Sequence, residues 1–98
     1  MIVSFGDKAT EAVFDGTPVR LLKRFPPDVL KRAVQKLDYL NGASDLADLE
    51  APPGNRLEAL RGEWRGFHSI RINQRWRVVF RWRQGGPAAV DLVDDHRG

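Results

Sequence analysis

The chain has 98 residues, 16 Lys/Arg against 13 Asp/Glu, two histidines, no cysteine and 42% apolar residues. This length and apolar share describe one domain, residues 1–98, built on one core, and argue against wholesale disorder. The lack of cysteine excludes disulfides and thiolate chemistry, and two histidines without a spaced acid cluster make no metal site, so no cofactor is expected. No apolar run is long enough to span a bilayer, and Met1–Phe5 lacks the basic start of a secretory signal, which points to a cytoplasmic protein with no membrane partner.

Ile2-Val3-Ser4-Phe5 reads as a short strand. Asp7 offers an N-cap for a helix over Lys8–Asp15 that buries Ala9, Ala12 and Val13 and closes at Gly16. The segment from Val19 to Phe25 is ambiguous. Pro26-Pro27-Asp28 then starts a helix whose apolar stripe is Val29, Leu30, Ala33, Val34, Leu37 and Leu40, and Asn41-Gly42 stops it. Ser44 is placed to cap one more turn through Leu49. The Ala51-Pro52-Pro53-Gly54-Asn55 segment is a loop, because its prolines and glycine deny it ladder or helix bonds.

From there the pattern is extended. Strands are expected over Arg56–Arg61, Phe67–Ile72, Arg75–Trp82 and Ala88–Asp94, and the short links between them imply an antiparallel meander. The fold class is therefore α+β. An N-terminal strand and two to three helices pack on one face of a four- to five-stranded, mainly antiparallel sheet, and the other face stays open.

The open face carries the functional signal. Residues 1–55 hold seven Lys/Arg against eight Asp/Glu, whereas residues 56–98 hold nine against five, and all nine are arginine. In Arg75-Trp76-Arg77-Val78-Val79-Phe80-Arg81-Trp82, alternation sends Trp76, Val78, Phe80 and Trp82 to the core and Arg75, Arg77 and Arg81 to the other side. Arginine forks onto phosphates and stacks on bases, so a polyanion such as nucleic acid is the partner this face fits. His68, alternating with Ile70 and Ile72, reads as a partly buried, satisfied histidine.

Three stretches make the chain recognisable: Asn55-Arg56-Leu57-Glu58-Ala59-Leu60-Arg61-Gly62, Ser69-Ile70-Arg71-Ile72-Asn73-Gln74-Arg75-Trp76-Arg77-Val78, and Val93-Asp94-Asp95-His96. Together they resemble the HigB group of RelE-type toxins over nearly the whole length. The resemblance implies a RelE-like fold, ribosome-dependent cleavage of mRNA, and neutralisation by a HigA-like helix-turn-helix antitoxin that alone contacts operator DNA. The family's Leu-Lys/Arg-Gly motif falls on Arg61 and its Trp-Arg motif on Arg77. Its closing Asp-Tyr-His becomes Asp94-Asp95-His96. Aspartate at the tyrosine position neither stacks on a base nor offers a phenol, and this departure keeps open a catalytically weakened homologue that mainly binds its antitoxin and tunes operon repression. A plain RNA- or DNA-binding module is the third reading.

Metal-free RNA cleavage needs cations that hold the phosphate in line and groups that move a proton. The candidate catalytic residues are thus Arg61 and Arg77 for the phosphate, His96 as the near-neutral acid or base, and Asp94 to orient it or take the proton. Arg56, Arg65, Arg71, Asn73 and Arg75 are candidates for RNA contact. Trp64, in a glycine-flanked turn, is the candidate stacking platform.

Overall fold

The computed structural model describes residues 1–18 and 22–94. Helix α1 (Lys8–Phe14) starts where the Asp7 carboxylate accepts from the Thr10 N–H at 2.8 Å. It buries Val13 and, unforeseen, Thr10, while Ala9 and Ala12 are only half-buried. Helix α2 (Pro27–Gly42) opens with proline in its first turn and turns Val29, Leu30, Ala33, Leu37 and Leu40 inward. Val34 is a correction: it lies just beyond the rim of this stripe and is 44% exposed.

The next turn, Leu46–Glu50, is capped by Asp45 rather than Ser44. Asp45 and Asp48 exchange side-chain to backbone bonds, and the Ser44 N–H donates to the Asp48 carboxylate at 2.8 Å. Asn55 ends the proline-rich loop and ties it down. Fully buried, it donates through Nδ2 to the Leu49 and Ala51 carbonyls at 3.2 and 3.3 Å and accepts from Lys36 of α2 through Oδ1.

Four strands follow in an antiparallel sheet of order β1-β2-β3-β4: β1 (Glu58–Ala59), β2 (His68–Arg71), β3 (Trp76–Arg83) and β4 (Gly86–Asp94). β1 is much shorter than the Arg56–Arg61 strand the alternation predicts. Arg56 has left-handed backbone (φ 46°) and so does Gly62 (φ 66°), and neither conformation continues a ladder. The expected opening strand also shrinks. Residues 2–6 run beside β4 in parallel but form a single bridge, Phe5 to Val90. Their backbone bonds to Pro87 and Val90, with Thr10 Oγ1 accepting from the Leu92 N–H at 3.1 Å, close the outer edge of β4.

Alternation along β3 holds as expected. Val78 and Phe80 are fully buried against α2 and β4, and Trp76 and Trp82 pack at the margins of the same core. Phe25 meets Trp76 edge-on at 5.5 Å. On β4 an extra residue enters the ladder between the partners of Val79 and Arg81, where Ala89 takes φ 51°. Such a bulge bends the strand and sharpens the twist of the sheet.

Candidate nucleic-acid interface

The pairing register assigns the residues of the open face. Arg71, Arg77 and Val93 form one cross-strand row, and Glu58, Ser69, Val79 and Asp91 form the next. Two of its central residues, Ser69 and Val79, are buried. Beyond them, Arg81 lays its guanidinium over the Phe67 ring at 4.3 Å, and Trp64 meets that ring edge-on at 5.1 Å. Glycine is required at position 66, where φ is 92° and a Cβ would stand 2.7 Å from Arg81 Nη1.

Arg77 is the focus of this face. Its side chain is 21% exposed, and Nη1 lies 3.7 Å from Glu58 Oε1 on β1. A pair of that length to a half-exposed carboxylate contributes at most about 1 kcal/mol. A phosphate with two charged oxygens in bidentate geometry would outcompete this carboxylate for the guanidinium. The three arginines expected to form one bare row are instead each engaged. Arg75 sits in the turn before β3 and bonds Asp94 Oδ2 at 3.1 Å, Arg77 meets Glu58, and Arg81 covers Phe67.

The other expected site residues are dispersed. Arg61 stands exposed at the turn after β1, three residues beyond the Glu58 that meets Arg77. Arg65 is exposed in the same turn, and Arg56 is exposed at the end of the proline-rich loop. Arg71 is half-buried and donates through Nε to the Asn73 carbonyl at 3.1 Å. Asn73 shapes the turn, its Oδ1 accepting from the N–H groups of Arg75 and Trp76 at 2.8 Å each. Asp94 pairs in register with Trp76, which puts it on the helix-covered side, one step out of phase with Arg77. His96 lies outside the described residues, as does Asp95. His68 is half-buried and stacks on Phe80 at 6.2 Å, as its alternation suggests, and its buried Nδ1 has no hydrogen-bond partner among the described residues.

Sequence reasoning missed Glu58 as a member of the site. It is the sole acid within the expected Arg56–Arg61 strand, but its place opposite Ser69, against Arg77, emerges only from the cross-strand register. Phe67 was likewise read only as a strand start, although it is the ring on which Arg81 and Trp64 converge. No group of three or more His, Cys, Asp or Glu among the described residues is arranged to hold a metal. No helix among them is long and apolar enough to cross a membrane.

An antiparallel meander with helices on one face and arginines on the other is the RelE-like build. The solution structure of the conserved hypothetical protein HP0894 from Helicobacter pylori has the same fold, with a TM-score of 0.55 at 21% identity, over 96% of this chain and 94% of that one. In sequence, a family model described as the RelE-like toxin of type II toxin-antitoxin system HigB matches residues 3–96. The chain is 35% identical over 97 residues to Toxin HigB-1 of Vibrio cholerae serotype O1, covering 99% of each. It also aligns at 30% identity over 59 residues with an uncharacterized protein of Haemophilus influenzae, 60% of this chain and 58% of that one. The chain belongs to the HigB-like family of type II toxins, and membership implies an antitoxin partner.

Proposed function

We propose that this protein is a ribosome-dependent mRNA endonuclease whose cleavage site is centred on Arg77. The observation that carries the reading is the Arg77–Glu58 pair, a cation and a carboxylate side by side on the open face. The RNA phosphate next to the cut displaces Glu58 from the Arg77 guanidinium, which then stabilises the charge that builds on the phosphoryl oxygens. The freed Glu58 carboxylate takes the proton from the attacking 2′-OH. As the 2′-O–P bond forms, the P–O5′ bond breaks, leaving a 2′,3′-cyclic phosphate and a 5′-hydroxyl. His96, two residues beyond β4, is assigned to protonate the departing 5′-oxygen. Arg61 joins Arg77 on the phosphate from the turn after β1. Trp64 and Phe67 offer aromatic surface to a flanking base.

The ribosome supplies the bound, translated mRNA, and a HigA-like helix-turn-helix antitoxin blocks the toxin in the cytoplasm and alone contacts operator DNA. The test is cleavage of mRNA on purified, programmed ribosomes, mapped by primer extension. Cuts that require both the ribosome and an intact Glu58 support the reading; full cleavage by Glu58→Gln removes that residue from the mechanism.

Asp95 favours a second reading, in which cleavage is weak and antitoxin binding is the main role. Asp95→Tyr separates the two. Under the weakened reading it raises cleavage on ribosomes well above that of the natural chain, whereas equal or lower activity shows that position 95 does not limit the reaction.

A further inference from the structure

A groove of about 650 Å³ lies between α2 and the turn that joins β2 to β3. Ligand pockets of that size are mostly apolar. This one is lined by Arg32 and Lys36 of α2, Arg56 of the proline-rich loop, Arg71 at the end of β2, and Asn73 and Gln74 of the turn that follows, with no carboxylate among its described lining residues.

The four cations are positioned but not neutralised by the groove itself. Arg32 donates to the Ile72 carbonyl at 3.4 Å, Arg71 to the Asn73 carbonyl at 3.1 Å, and Lys36 to the buried Asn55 side chain. Each of these acceptors is a neutral oxygen, which orients a cation without cancelling its charge. Arg56 is presented by left-handed backbone (φ 46°), a conformation that a residue with a side chain rarely adopts. Burial, and then the charge of Arg32, lower the pKa of Lys36 from its ordinary value. Crowding of this kind is relieved when an anion enters. Arg71 also belongs to the open face, where it pairs across the sheet with Arg77. The groove therefore begins where the arginine row of the sheet ends.

We propose that this groove binds the phosphodiester backbone of the same RNA strand that lies on the sheet, extending the site around the β2–β3 turn. The assignment rests on the RNA reading above. A free strand is favoured over a duplex because the track bends from the sheet face, past Arg71, to the flank of α2, a course that a stiff helix does not follow.

The test is fluorescence anisotropy with uncleavable 2′-O-methyl strands, one a tetranucleotide and one a dodecanucleotide. Arg32→Gln and Arg56→Asn should each weaken the long strand several-fold and flatten its salt dependence by a slope of about 0.7 per cation removed, while leaving the short strand bound as before. Equal losses on both lengths, or none on either, would overturn the groove assignment. So would an equal loss on a fully paired duplex, which would make the groove a docking point for structured RNA. Arg77→Ala is the separate arm. If it leaves the tetranucleotide untouched, the sheet-face reading fails, whatever the groove variants do. Asparagine suits left-handed backbone, so Arg56→Asn keeps the experiment decisive if melting curves show that Arg32→Gln loosens the fold.

Discussion

The two faces of the sheet share one backbone and differ in almost everything else. On β3, Val78 and Phe80 face α2 and are fully buried, while their neighbours Arg77 and Arg81 face outward with their charges intact. Shape and volume matter on the first face, since close-packed interiors register the loss of even one methylene. On the second, the geometry of charge matters, since a guanidinium beside an exposed carboxylate is placed to meet an anion. Substitutions of Val78 and Phe80 should therefore act through stability, and substitution of Arg77 through chemistry.

The largest effect expected is from Phe80→Ala, which should destabilise the fold by about 3–5 kcal/mol through lost burial and an unfilled cavity. Urea unfolding reads it, and a variant as stable as the natural chain would show that the core is not centred on Phe80. Next comes Arg77→Ala, expected to lower cleavage on ribosomes by about 10²–10³-fold, as when a single oxyanion-stabilising donor is removed. Its melting temperature should hardly move, and a large drop there would erase the contrast between the faces. Asn55→Ala tests how the proline-rich loop is fixed to α2 on the covered side. It strips the buried amide that joins the proline-rich loop to Lys36 of α2, and the fold should lose about 1–3 kcal/mol, read by urea unfolding.

The smallest effect should come from Asp91→Asn. Burial, and then the neighbouring Asp7, raise the Asp91 pKa, so the charged form is disfavoured in the folded state. The stability that Asp91 contributes when protonated is present below its unfolded pKa and is lost as pH rises through the raised folded value. Asparagine should thus raise the melting temperature slightly at neutral pH, and the gain should fade as the pH falls through the carboxylate range. A gain that grows toward acid pH would contradict the sign.

Much of the fold was legible because it is written in local periods. The 3.6-residue stripe of α2 and the alternation of β3 each identify an element and the side it buries, and both hold in the structure. Val34 and the length of β1 were misjudged where such patterns reach the rim of an element, and the backbone of Arg56 and Gly62 decides where pairing stops. That Asn73 Oδ1 accepts from the Arg75 and Trp76 N–H groups depends on a turn geometry that no composition reveals. The candidate site was legible only as an inventory of arginines.

By itself, then, the sequence determined the order of elements, the greasy and cationic sides of β3, and the family to which the chain belongs. Tertiary structure alone decided that Glu58 meets Arg77, that Asp94 falls on the opposite side, and that Arg32, Lys36, Arg56 and Arg71 share one groove. The reason is physical. Periodicity is a property of neighbouring residues, but register and groove depend on hydrogen bonds and packing between segments far apart in the chain, where a one-residue slip would exchange every partner.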